Sequence, residues 1–241
     1  MKQRGRMIGE FFLIVTGVLV ALMVETAFED RQDANLLDEY ILRIQSDIES
    51  DKRSIKHRIE FFASVRQFSQ TTLDWLDSDA AVDQEVLLAS FYAAEIWPWI
   101  TRLSTYEDLH GTGNLRLLQD IDLRTSLAIY YKRADASRAG WNPSQDYREI
   151  IRGIIPTRIQ SLIRRNCPTT DALEQKPTGF PPCVLHDIDY ARLAALFEPL
   201  REDGVFRQKL TYRNSELAVM IFLFQEQVGY ADAALMRITN Q

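Results

Sequence analysis

The feature that most constrains this chain is an apolar run near its start. Residues 7–24 read MIGEFFLIVTGVLVALMV, with Glu10 the one charge. The uncharged stretch 11–24 is short for a membrane helix, which needs roughly 20 residues. Extending it back to Met7 and forward through Thr26 and Phe28 supplies that length. Glu10 then falls near one interface, one turn from Arg6, and Glu25 near the other. A cleaved signal peptide is the competing reading, because a basic start and a short apolar core fit it too. No convincing small-x-small site follows, and the pattern past Phe28 runs into a further helix without Pro or Gly. The expectation is therefore an anchor.

Charge sets the orientation. Lys2, Arg4 and Arg6 precede the run, whereas the EDRQD that follows is mixed. The positive-inside rule places that basic start in the cytoplasm. The expected organisation is a cytoplasmic tail over 1–7, a transmembrane helix over 8–28 and an extracytoplasmic helical domain over 29–241. In a bacterium this is a single-pass protein of the inner (cytoplasmic) membrane, with its domain in the periplasm where there is one. Within the span, Gly17 and Ala21 form a small-x-x-x-small pair that lets two spans pack closely, a route to a homo-oligomer; small residues are also common in spans generally.

Beyond Asp33 a helical period takes over. Leu37, Ile41, Ile44, Ile48, Ile55, Ile59 and Phe62 recur at three- and four-residue steps, with one polar interruption near Asp51 and Lys52. This predicts a long amphipathic helix, continuous with the span and ending near Leu76, as a coiled coil or one face of a bundle. Asp83 caps a helix running to Trp97 and stopped by Pro98. Ser104 to Glu107 matches a capping box. Asn114 or Gly113 opens a turn, and Asp120 caps a helix over 123–133. Asn142-Pro143 opens another toward Arg165, kinked at Pro156. Asp187 or Asp189 caps 190–200, and Gly204 closes that region. A final helix carries Leu210, Leu217, Met220, Phe224, Val228, Ala231, Leu235 and Ile238. Its segment 217–224 is apolar on every side, which predicts a central buried helix. No segment alternates with period two, so the fold class is all-α, a multi-helix bundle.

The remaining features exclude more than they assign. Removing three of the 28 basic residues and one of the 34 acidic ones with the N-terminal segment leaves a net charge near −8. That disfavours nucleic acid, which needs a basic face. The chain has two cysteines, Cys167 and Cys183, bracketing a Pro- and Thr-rich loop. Outside the cytoplasm they are free to form a disulfide; the alternative is two unrelated thiols. P-loop, His-Glu-x-x-His, Cys-x-x-Cys and Gly-x-Ser-x-Gly signatures are missing from the sequence. His57, His110 and His186 are scattered, and the acids beside His186 sit where a helix cap is expected. Trp97-Pro98-Trp99 is either core or an exposed aromatic contact. No cofactor, metal or catalytic residue is expected.

Two stretches carry a resemblance. The first is RMIGEFFLIVTGVLVAL (6–22), followed by a charged helix containing Glu39-Tyr40. The second is TYEDL (105–109) with GNLRL (113–117), Leu123-Arg124 and Tyr130-Tyr131. Together they resemble a bacterial family of single-span membrane proteins that carry a domain of unknown function. The resemblance implies the topology above and no activity. It draws attention to Tyr106, Asn114, Arg116, Arg124, Tyr130 and Tyr131, which combine hydrogen-bonding groups with aromatic surface suited to gripping a protein. The alternative is that they lock a helix–turn–helix inside the bundle. Three functional classes stand open. One is a membrane-tethered interaction or scaffold protein, such as an accessory subunit of an envelope complex, with protein partners and the lipid bilayer. A second is an extracytoplasmic ligand-binding sensor acting through a partner. The third is an enzyme built on acids such as Glu107, Asp108, Asp120 and Asp122.

Overall fold

In the computed structural model the described residues are 2–97, 101–139, 144–167 and 179–240, with side chains described outside 2–12 and 138–139. Eight α-helices are described: α1 (Lys2–Leu76), α2 (Gln84–Tyr92), α3 (Ser104–Gly111), α4 (Ile121–Ala139), α5 (Asp146–Ile154), α6 (Thr157–Asn166), α7 (Tyr190–Phe197) and α8 (Gly204–Thr239). Two 3-10 turns, Asn114–Leu117 and Glu198–Arg201, join them, and no strand occurs among the described residues. The chain is an all-helical, multi-helix bundle.

Helices α1 and α8 form an antiparallel spine, and the core is three clusters along it. At one end Trp75 and Leu76 of α1 meet Phe206 and Leu210 of α8, with α2, α5, α6 and α7 around them. In the middle Ile55, Phe62 and Val65 pack on Leu217, Met220 and Phe224. At the other end Tyr40, Ile44 and Ile48 meet Ala231, Ala234 and Ile238, closed by α3 and α4. Burial of these stripes is what stabilises helices of this length, since neither can hide its apolar side alone.

Helix α1 continues past the bundle toward its N-terminus. Residues 13–30 are exposed on every side, from Leu13 at 76% to Met23 at 68% and Phe28 at 63%. Among the described residues no helix is long and apolar enough to cross a membrane. The described apolar part, 13–24, is only about 18 Å of helix; the side chains of 8–12, the rest of the expected span, lie outside the described residues.

Local punctuation agrees with the sequence at some junctions and departs at others. Asp83 accepts from the Val86 N–H, Asp189 from the Arg192 N–H, and Asp120 from the N–H groups of Asp122 and Leu123. Gly113 adopts φ 76° before the 3-10 turn, a conformation glycine reaches without steric cost. The capping box at Ser104 does not form. Leu103 is the cap, without a side-chain bond, and the Thr105 hydroxyl donates to Asp47 instead. Pro156 separates two helices rather than kinking one, because the residue before proline is driven to extended backbone; Ile155 sits at φ −70°, ψ 120°. Gly204 starts α8 rather than ending a helix, with Asp203 accepting from Val205 and Phe206 N–H. Helix α2 stops at Tyr92, short of Trp97. The expected stop at Pro98, the contact at Trp99 and the start at Asn142-Pro143 lie outside the described residues.

The largest departure concerns 217–224. Leu217, Met220 and Phe224 are buried, but Val219 and Phe222 are more than half exposed and Leu223 is exposed too. Helix α8 lies on the bundle's surface with one face inward. An apolar run in a helix reports how much nonpolar surface exists, not how many neighbours the fold supplies to cover it.

Candidate functional site

The six residues singled out by the resemblance lie on α3, the following turn and α4, all against the N-terminal half of the bundle. Tyr130 and Tyr131 are buried. Tyr106 stacks on Tyr131 with centroids 4.2 Å apart, and Tyr130 meets Tyr131 edge-on at 4.9 Å. The Asn114 amide donates to the Tyr40 hydroxyl at 3.3 Å, which itself donates to Asp108 at 2.7 Å. Arg116 grips Asp33 of α1 through both terminal nitrogens, at 2.7 and 3.3 Å. Arg124 is half-buried on α4. These contacts fasten α3 and the turn to α1. They do not converge on one pocket.

Behind the tyrosines lies a buried polar centre. Asp51 is 3% exposed and accepts from the Arg102 N–H at 3.1 Å and the Tyr130 hydroxyl at 3.2 Å. Thr105 donates to Asp47, one turn earlier, at 2.6 Å. Gln227 of α8 donates to the Tyr130 carbonyl at 3.2 Å. Two turns along α1, the buried Arg58 guanidinium lies 4.1 Å from the Trp97 ring centre. Burial pushes the Asp51 carboxyl above the usual carboxylate range, and the Arg102 N–H and Tyr130 hydroxyl offset part of that. Burial lowers Arg58 to about 10, against the opposing charge of Asp51. Tyr130 and Tyr131 are pushed up, first by burial and then by the nearby acids. The sequence offered a signal here, since Asp51 occupies a core step of the repeat that contains Ile44, Ile48 and Ile55.

A second polar group holds the C-terminal end of α2. Arg148 donates to the Ala94 carbonyl at 2.5 Å, and Arg152 to Phe91 at 3.2 Å and to the Glu95 carboxylate at 2.5 Å. Arg213 of α8, 2% exposed, donates to the carbonyls of Ala93 and Glu95 and to Glu216 at 2.9 Å. Burial lowers both Arg152, to about 10, and Arg213, opposed by their acid partners. This capture explains why α2 ends early: its last carbonyls find arginines instead of a further turn. Glu216 is bound to Arg213 and accepts from the Ser144 N–H. Nothing in a one-dimensional pattern pairs residues this far apart.

The structure joins Cys167 and Cys183 in a disulfide, with Cα atoms 5.4 Å apart. It ties the end of α6 to the segment carrying Phe180. Phe180 inserts among Phe61, Phe68 and Tyr92 at 4.8–5.1 Å between centroids. Gln84 clasps the same segment, donating to the Cys183 carbonyl and accepting from the Leu185 N–H. Beside it runs an open groove of about 470 Å³, lined by Phe68, Leu88, Tyr92, Phe180 and Pro182. A second groove of about 710 Å³ lies between Asp30, Asp33, Leu37 and the turn at Arg116 and Leu117. Among the described residues no cluster of three or more His, Cys, Asp or Glu is placed to hold a metal ion. Gly17 and Ala21 lie on the exposed part of α1, and a Cβ added at Gly17 would meet nothing within 4 Å.

No protein-family model, curated protein or solved structure matches the chain.

Proposed function

We propose that this chain is a membrane-tethered interaction protein of the bacterial envelope. Residues 8–28 anchor it in the cytoplasmic membrane with the basic start inside, and the bundle outside the cytoplasm is a docking body for other proteins. One observation carries the reading. Helix α1 projects from the bundle with large apolar side chains on every side over 13–24, and an aqueous setting offers that surface no cover. The same helix then enters the bundle without a break, so any load on the anchor reaches the core directly. The basic residues at 2, 4 and 6 and the resemblance of 6–22 to single-span proteins support the same topology.

The site chemistry favours docking over turnover. Asp51 and Tyr130 are engaged with each other, Arg152 with Glu95 and Arg213 with Glu216, and the grooves are open rather than deep. The apolar surface left exposed on α8 is what an interaction body presents.

Membrane fractionation of the full chain tests the anchor. It is expected to stay with membranes through alkaline carbonate and to place a C-terminal reporter outside the cytoplasm. Recovery in the soluble fraction, or a mature N-terminus within 27–33, overturns it.

A further inference from the structure

Helix α8 carries two stripes. One faces the core through Leu217, Met220, Phe224 and Ala231. The other faces outward: Tyr212, Val219, Phe222, Gly229, Ala233 and Met236 are all exposed, and with the exposed Ser215 and Glu226 they recur at alternating three- and four-residue steps. From Tyr212 to Met236 it is roughly 36 Å long. A stripe at heptad spacing is the form a helix takes when a second helix runs beside it.

We infer that this outer stripe is a seam for a second copy of the chain, packed α8 against α8 in parallel and in register. Three observations select that occupant. The first is self-complementarity. In a parallel pair the residues flanking the seam meet their counterparts five positions on. Ala218 would meet the copy's Leu223, Gln225 its Tyr230, and Asp232 its Arg237. Each of these flanking pairings is matched; the like charges that face each other are the two Glu226 side chains within the seam itself. Asp232 and Arg237 are about half exposed while engaged with Lys52 and Asp122 of their own chain, so each keeps a free side. The second is Gly229. Glycine weakens a helix interior relative to alanine. A Cβ there would meet nothing within 4 Å, so the chain's own packing gives no reason for it. Close approach of a second helix beside Gly229 and Ala233 does. The third is orientation and rests on the proposed tether. Copies anchored in one membrane share a direction, and α8 runs antiparallel to α1, so a two-fold axis along the membrane normal sets the two α8 helices parallel.

Glu226 is the one charge within the stripe, and it faces its own counterpart. A polar residue at a single seam position fixes register at a cost in stability. The pair is therefore reversible, and Glu226 holds it so.

Single cysteines added to the full chain in membranes, oxidised mildly and resolved without reductant, test the seam. Val219→Cys, Phe222→Cys, Ala233→Cys and Met236→Cys are expected to form dimers several-fold more than His57→Cys on the exposed side of α1. Glu226→Leu should raise the yield at Ala233→Cys several-fold, and Phe222→Asp should abolish it while the helical circular dichroism stays unchanged. Cross-linking at only one or two neighbouring seam positions is the antiparallel outcome and overturns the proposal. So does a cross-linked species of any mass other than twice the chain, which would make the stripe a face for a different protein. Dimers at all four positions from chain found in the soluble fraction uphold the seam while removing the tether. Membrane-held chain with yields no higher than His57→Cys removes the seam and leaves the tether standing.

Discussion

Helices α1 and α8 each contain a run that is apolar all round, and the two runs meet different fates. On α1 the run at 13–24 is exposed throughout, with no other described helix packed against it. On α8 the run at 217–224 lies within a periodic helix, so its inner half is buried against Ile55, Phe62 and Val65 while its outer half is left over. The helices also bury charge differently. Arg213 of α8 is surrounded by acceptors, with three of its nitrogens bonded to Ala93, Glu95 and Glu216. Asp51 of α1 receives two neutral donors, neither of them a charged side chain. Composition alone therefore says little about where a nonpolar or charged group ends up. The neighbours supplied by the rest of the chain decide it.

The largest break in the comparison should come from Arg213. Arg213→Ala removes the donors to the Ala93 and Glu95 carbonyls and leaves Glu216 half-enclosed without its arginine. Losing one member of such a buried pair costs about 3–5 kcal/mol. Denaturant unfolding of the full chain in detergent measures it. A loss below about 1 kcal/mol would mean that water replaces the guanidinium at those carbonyls, since a surface change costs only that much.

The two faces of α8 give the next test. Phe224 is 3% exposed and stacks on Phe62 at 6.0 Å, whereas Phe222 is 57% exposed. Phe224→Ala or Leu217→Ala should cost about 2–5 kcal/mol, the range for large-to-small changes in a core. In chain dilute enough for copies to be apart, Phe222→Ala should stay within about 0.5 kcal/mol, as surface changes do. Phe224→Ala and Phe222→Ala remove the same atoms, so thermal unfolding isolates what burial contributes. Equal shifts at that dilution would mean that the folded chain itself covers Phe222.

How much of this was legible in the sequence follows from the kind of signal each feature leaves. Helix α1, its end at Leu76, and the caps at Asp83, Asp120 and Asp189 were readable, because period and cap chemistry are local. The inward residues of α8 were readable for the same reason. The outward exposure of Val219 and Phe222 was not, since it depends on how many helices gather around α8. Ser104 satisfied every local rule for a capping box, yet Thr105 found Asp47 across the bundle and the cap went unused. The candidate site was half legible. Tyr130 and Tyr131 were singled out through the resemblance, but Asp51, which accepts from Tyr130, showed only as a polar break in the α1 repeat. The arginine group at α2 left no trace, because its members come from three helices.

The smallest expected effect is the most diagnostic for Asp51. Burial raises its carboxyl, so the folded chain holds that proton more tightly than the unfolded chain does. The stabilisation from this linkage is fully present below the unfolded carboxylate's ordinary value, near 3.8, and is lost as pH rises through the raised folded value. Asp51→Asn removes the titration while keeping an oxygen to accept from Arg102 and Tyr130. The variant should therefore gain on the wild type as pH rises from 4 to 8, by on the order of 1 kcal/mol. Urea unfolding at the two pH values, compared as a difference between the chains, cancels the other titrating groups. If the variant instead loses ground as pH rises, the folded chain prefers the carboxylate. Arg58, two turns along α1, would then be its working counter-ion, and the contrast between Asp51 and the fully partnered Arg213 would disappear.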